Sequence, residues 1–311
     1  MNQHTDIVVI GAGIAGMTAA VYAVRAGKRV TVLECEAFGG QISSSPRVEN
    51  YPGIPAISGA DLSDAMYRQA SALGVEFAFA QAQSIAPQAD GGFVVESDAG
   101  PYACHSVILA SGAHHRGLGL PREKELTGHG ISYCAVCDGA FYRDGKTAVV
   151  GGGSAALQSA EYLCGVCKEV VLIHRRDEFR GEASLAQRVC ANPNLTLMLD
   201  SNVVEYLGED KLTGIVVENK KTGARTEVTV DGLFLSVGQQ PANERFASLV
   251  TLDASGYVQA GEDCRTNVPG LFAAGDCRAK SVRQLTTAAA DGTVAALAAC
   301  NWVDAHPAAA E

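Results

Sequence analysis

A chain of 311 residues, 47% hydrophobic and 19% charged, can bury full cores in about two domains and is not a disordered chain. Its formal net charge of −10 argues against general nucleic-acid binding, which rests on neutralising phosphate. No apolar stretch reaches the roughly 18 residues that a membrane span needs. The polar residues 1–6 run straight into an apolar strand with no room for a signal peptide, so the expectation is a soluble, cytoplasmic protein.

The first predicted strand covers residues 6–10 and runs into Gly11-Ala-Gly13-Ile-Ala-Gly16, which opens a helix over 17–26; a second strand, 29–33, ends in Glu34. Glycines at this spacing permit a tight turn and let the backbone approach a pyrophosphate at the helix N-terminus. A carboxylate at Glu34 can accept hydrogen bonds from a ribose hydroxyl pair, which suits FAD or NAD.

Next comes Tyr133-Cys134-Ala-Val-Cys137-Asp138-Gly139. Two cysteines at this spacing in a tight loop can form a reversible disulfide, and Asp138 can shuttle the proton that a thiol–disulfide cycle adds and removes. A C-x-x-C is also half a zinc site, but no second Cys or His pair stands at plausible spacing in the surrounding loop, so no metal is expected.

The glycine pattern then returns. A strand at 147–150 leads into Gly151-Gly-Gly153-Ser154-Ala155-Ala156 and a helix over 157–163, and a strand at 169–173 ends in His174-Arg175-Arg176, with Arg180 one turn on. Guanidinium groups grip a 2′-phosphate where a carboxylate would repel it, so this copy suits NADP. A second C-x-x-C, Cys164-Gly-Val-Cys167, falls at the end of that helix. Residues three apart on a helix hold their Cβ atoms about 5–6 Å apart, too far for a disulfide, and the helix C-terminus opposes a thiolate. This pair is read as structural. Of the ten cysteines, the other six have no neighbour that argues for reactivity.

Beyond about residue 243 no third nucleotide domain starts. A short strand at 270–274, then Gly275-Asp276, then a small-residue helix over 284–299 would set an acidic group and a helix N-terminus against a second part of a bound cofactor, completing the first domain. The expected fold is α/β, with two Rossmann-like nucleotide-binding domains, one inserted into the other. The first spans 1–113 and 244–311, and the second, 114–243, carries the redox C-x-x-C. The cysteine pair and the second glycine turn must both reach one cofactor and cannot share one face at once, so the glycine-containing linkers near 112–117 and 238–243 suit hinges.

These motifs together resemble the low-molecular-weight thioredoxin reductases along essentially the whole chain. The matching pieces are Gly11 to Gly16, Gly39-Gly40-Gln41, Val48-Glu49-Asn50-Tyr51-Pro52-Gly53, the Cys134 loop, Gly151 to Ala156, His174 to Arg180, Ala274-Gly275-Asp276 and Arg283-Gln284. The resemblance implies FAD in the first domain, contacted by the Gly11 loop, Glu34, Gly40, Gln41, Asn50, Gly275, Asp276, Arg283, Gln284 and Leu285. It implies NADPH in the second, contacted by Gly151, Gly153, Ser154, Ala155, His174, Arg175, Arg176, Arg180 and Gly238. It implies that Cys137 takes electrons from the flavin, that Cys134 attacks the disulfide of thioredoxin, that Asp138 is the acid–base group, and that a homodimer works by rotating its NADPH domain.

Some positions depart from the usual pattern. Gln158-Ser159 stands where two glutamates are common, Ala290 where glycine is common, and His129 where arginine is common. The first bears on nicotinamide placement and the last on the choice of thioredoxin. A rival reading is a related reductase fed by ferredoxin or directed at a peroxiredoxin. The arginine set argues against the former and the lack of an extra thioredoxin-like domain against the latter. A non-catalytic redox sensor is the other rival, and the presence of both Cys134 and Cys137 argues against it.

Overall fold

Runs of valine and isoleucine bounded by glycine make the buried parallel strands of this protein, since β-branched side chains suit a sheet covered on both faces. A computed structural model describes residues 3–45, 47–89 and 91–306. Residues 1–2 and 307–311, at the outer ends of the expected first domain, lie outside the described residues. The chain divides into two compact units, one made of the residues up to His114 with those from Gln240 onward, the other of His115–Gln239.

In the first unit, Gln3–Ile10 lies between Val30–Glu34 and Tyr102–Leu109, parallel to both, with Ile7 opposite Val30 and Ser106. Glu76–Phe79 extends one side in parallel. Phe93–Ser97 and Ala82–Pro87 extend the other side antiparallel, and Leu271–Ala273 joins Tyr102–Leu109 in parallel, so the last part of the chain completes the sheet begun by the first. The helices Ile14–Arg25 and Leu285–Ala305 pack together on this sheet. Small residues allow the approach: a Cβ on Gly292 would meet the Ala15 carbonyl oxygen at 2.3 Å. Leu285–Ala305 outruns the predicted 284–299 because Val303 is buried in the core and Trp302 donates Nε1–H to the His105 carbonyl, 3.1 Å away.

In the second unit, five parallel strands stand in the order Leu195–Met198, Glu169–Ile173, Lys146–Val150, Gly232–Leu235, Ile131–Ser132. Ser154–Cys164 and Ala183–Cys190 contribute to the apolar cluster on one face, and an antiparallel sheet of Ser201–Leu207, Gly214–Asn219 and Arg225–Thr229 contributes to that on the other. The two chain crossings, Ala113–His115 and Gln239–Pro241, pair with each other. Among the described residues no helix is long and apolar enough to cross a membrane.

Candidate active site

The glycines of the first turn have three different jobs. Gly11 has a φ of 105°, and a Cβ there would lie 2.3 Å from the Ala110 carbonyl oxygen. A Cβ on Gly16 would lie 1.9 Å from the Gly11 oxygen, so this glycine lets the helix press against the turn. Gly13 caps the helix Ile14–Arg25 without any side-chain cap, and its missing Cβ would meet only one atom, at 3.9 Å. The helix therefore starts at Ile14, earlier than predicted, with its first N–H groups free for an anion.

Glu34 ends its strand buried, and it holds this turn. Its Oε2 accepts from Ala12 N–H at 2.7 Å and its Oε1 from Cys35 and Glu36 N–H at 2.9 and 2.8 Å. A carboxylate has about four acceptor positions, so these three bonds leave room for a further donor.

Gly40 comes up to Gly13, with 3.4 Å between its ideal Cβ and the Gly13 Cα, and Gln41 donates to the Ala113 carbonyl. A Cβ on Gly275 would lie 2.8 Å from that of Ala15, which brings Asp276 to the same helix. Asn50 Nδ2 donates to Gln284 Oε1 at 3.4 Å, and Gln284 caps Leu285–Ala305 in a reciprocal box with Thr287. Arg283 lies 4.0 Å over the Tyr257 ring and donates to the Asp276 carbonyl. Among the described residues Asp276 Oδ1 is buried with no hydrogen-bond partner, and burial pushes its carboxyl up, against the pull of Lys280 and Arg283. An orphaned buried carboxylate oxygen beside open glycines fits a polyhydroxylated dinucleotide, whose hydroxyl groups would satisfy it.

In the second turn a Cβ on Gly151 would meet the Ser236 carbonyl oxygen at 2.4 Å, whereas one on Gly153, the cap of Ser154–Cys164, meets nothing within 4 Å. His174 is buried under this turn. Its ring fills the space a Cβ on Gly152 would take, and its Nε2 lies 3.0 Å from the Glu178 carbonyl oxygen. Burial first, then the nearby guanidinium groups, hold its pKa down, so the ring is neutral and shapes the turn from beneath. Arg175, Arg176 and Arg180 are exposed, and among the described residues none has an ion-pair partner. Lys221 takes up Asp177 and Asp200 instead, at 3.4 and 2.8 Å. Gly238, with a φ of 120°, accepts from Arg116 N–H at 2.9 Å where the chain crosses.

Cys134 and Cys137 form a disulfide with a Cα–Cα distance of 5.3 Å. The predicted tight loop is one helical turn, Ala135–Asp138, and Cys134 is its cap. The extended backbone of Cys134, with φ −133° and ψ 97°, brings its side chain back over the turn, which a residue inside a helix cannot do. Cys137 N–H donates to Cys134 Sγ at 3.2 Å, which holds that sulfur at the N-terminal end of the turn. Asp138 is half-buried, and burial raises its carboxyl while a hydrogen bond from Ser132 works the other way.

Cys164 and Cys167 are thiols. The reason differs in part from the helical spacing expected, because Cys164 is the last helical residue and Cys167 lies beyond it. Asn194 donates Nδ2–H to both of their carbonyls, at 2.9 and 3.1 Å, and fixes the turn. Burial first, then the neighbouring Cys167, pushes the Cys164 thiol up to about 11.

Sequence reasoning missed three residues here. Gly181 packs on the second turn, where a Cβ would lie 2.9 Å from Ser154 N, and with Arg180 it donates its N–H to the Gly152 carbonyl. Asp291 is nearly buried and accepts from Arg278 and Lys280 at 2.8 Å and from Gly275 N–H at 3.0 Å, so it anchors the loop that carries Asp276. Ser132 holds Asp138. The glycine after Arg180 was the one legible signal, while the other two depend on partners that folding brings together.

Two strand–glycine–helix turns and a disulfide beside a half-buried carboxyl define a nucleotide-dependent disulfide oxidoreductase. The chain belongs to the pyridine nucleotide-disulphide oxidoreductase family, whose profile matches residues 5–292. The family's chemistry uses a flavin and a nicotinamide nucleotide. The chain is 39% identical over 305 residues to a thioredoxin reductase of Treponema pallidum, covering 98% of this chain and 99% of that one. It is 40% identical over 303 residues to a 34.2 kDa protein in the rubredoxin operon of Clostridium pasteurianum, covering 97% and 98%. Among solved structures, the thioredoxin reductase of Streptococcus pyogenes superposes with a TM-score of 0.93 at 40% identity, covering 98% of this chain and all of that one.

Proposed function

We propose that this protein is an NADPH-dependent thioredoxin reductase. The observation that carries the reading is the Cys134–Cys137 disulfide, capped on a helical turn beside Asp138, in a chain similar along nearly its whole length to thioredoxin reductases. The unit built on Gly11–Gly16 is its FAD-binding domain, with Glu34, Gly40, Gln41, Asn50, Gly275, Asp276, Arg283, Gln284 and Leu285 as contacts. The unit His115–Gln239 is its NADPH-binding domain, with Gly151, Gly153, Ser154, Ala155 and Gly238 along the dinucleotide and Arg175, Arg176 and Arg180 on the 2′-phosphate. His174 supports this site through the glycine turn.

A flavin held by these residues would supply the route by which the electron pair of a nicotinamide hydride reaches the disulfide. The protein's own groups do the rest. The Cys134 thiolate attacks one sulfur of the thioredoxin disulfide, a mixed disulfide forms, and the leaving thiolate takes a proton from Asp138. The Cys137 thiolate then attacks Cys134 Sγ, restores the internal disulfide and releases the second thioredoxin thiolate, which is protonated from solvent. The disulfide and the NADPH turn lie on one unit, so that unit turns about its two crossings between half-reactions. We assign the protein to the cytoplasm, a compartment that keeps such cysteines as thiols, and assign it a homodimer on its resemblance to low-molecular-weight thioredoxin reductases. Purified protein assayed for thioredoxin reduction with NADPH, NADH and reduced ferredoxin tests the reading. Turnover with NADPH is expected, and turnover with ferredoxin alone would overturn it.

A further inference from the structure

Ser132 lies outside every motif discussed above, yet it touches both halves of the redox turn. It is buried at the end of the edge strand Ile131–Ser132, paired with Phe234, so its backbone is fixed by the sheet. Its Oγ lies 2.6 Å from Asp138 Oδ2, 3.0 Å from Cys134 N and 3.5 Å from the Cys134 carbonyl oxygen. A hydroxyl has one hydrogen. The short contact takes it, and the Cys134 N–H points at the oxygen's lone pair. When Asp138 carries a proton, the hydroxyl can turn to accept from it and direct its own hydrogen to the Cys134 carbonyl.

We propose that Ser132 is a positioning residue for proton transfer: it locks Asp138 to the Cys134 backbone and sets how readily Asp138 gives up its proton. The proposal rests on Asp138 being the acid–base group. Burial and the Ser132 bond are the two influences on the Asp138 carboxyl, and only the bond favours the charged form. Among the described residues Tyr142 on the following turn feels the Asp138 charge; burial first, then Asp138, Asp231 and Cys167, push it up to about 12, so it stays neutral. The helix Ser154–Cys164 presents Leu163 and Tyr162 to the neighbouring Gly139.

The test is the infrared carbonyl band of protonated Asp138 in the oxidised full-length protein, assigned by its loss in Asp138→Asn and followed against pH. Ser132→Ala should move its midpoint up by about one pH unit, and Ser132→Thr, which keeps the hydroxyl, should restore it. The Asp138-dependent limb of the thioredoxin-reduction profile should shift by the same amount. Ser132→Ala removes one oxygen, and an unchanged thermal midpoint checks that the fold is kept. An unmoved carbonyl midpoint in Ser132→Ala would overturn the proposal. A limb that survives in Asp138→Asn would overturn the acid–base assignment instead, and the infrared midpoint separates the two.

Discussion

Cys134 and Cys164 each open a C-x-x-C, and their place on a helix separates them. Cys134 caps the start of a turn with its sulfur facing an N–H, whereas Cys164 ends a helix and burial keeps its proton on. Cys134→Ser and Cys137→Ser should each abolish thioredoxin turnover while NADPH still bleaches the flavin. Cys137→Ser, which keeps the attacking thiol, should trap a mixed disulfide visible on a non-reducing gel. Cys164→Ser and Cys167→Ser should keep near-normal turnover. The arginines make a second residue-scale prediction. A charge-assisted contact contributes about 1.5–3 kcal/mol, so replacing Arg175 and Arg176 by neutral residues should raise the KM for NADPH by about tenfold or more per residue and leave that for NADH little changed. Equal effects on both would refute the assignment. The redox pair was legible because two cysteines three apart outside a helix interior can close a short loop, and an acid follows directly. Ser132 was not, because a serine says nothing until its strand and the cysteine turn are in place.

At the scale of an element, the glycines of one turn are not equivalent. Gly13→Ala should fold with an unchanged apoprotein Tm and bind FAD weakly, because its Cβ enters open space at φ −73°. Gly16→Ala should lower the Tm sharply, because its Cβ would collide with the Gly11 backbone. Similar Tm values for the two would contradict this division of work. The spacing of these glycines was legible from the chain as a dinucleotide pattern, but which glycine faces open space and which faces backbone required coordinates. Asp291 was hidden for the same reason as Ser132: a lone acid in a small-residue helix shows no partner until Arg278 and Lys280 arrive. Burial opposes its charge, but the bonds from Arg278 and Lys280 outweigh it and hold the carboxyl below the usual range. A lowered folded value contributes stability in full above the ordinary aspartate value of about 3.9 and loses it as pH falls through the lower folded value. The Tm of the parent should fall over that acidic window more than that of Asp291→Asn. At neutral pH Asp291→Asn leaves two buried cations uncompensated and should cost about 3–5 kcal/mol in denaturant unfolding.

For the whole molecule, the alternation of strands and helices and the doubled glycine turn were enough to read the α/β class, and the short 271–273 strand joining the 102–109 strand shows why a late segment belongs with the first sheet. Ends were less legible: the last helix runs to Ala305 because Trp302 and Val303 find packing and hydrogen-bond partners that no periodicity reveals. The central claim is that one chain passes electrons from NADPH through a flavin and the Cys134–Cys137 disulfide to thioredoxin. Anaerobic titration of the purified protein tests it most directly, with NADPH added first, then oxidised thioredoxin, and the visible spectrum followed throughout. The account predicts a yellow protein whose flavin bleaches with NADPH and regains its colour as thioredoxin is reduced. Colourless protein that takes up no FAD, or a bleached flavin that oxidised thioredoxin leaves unchanged, would contradict it.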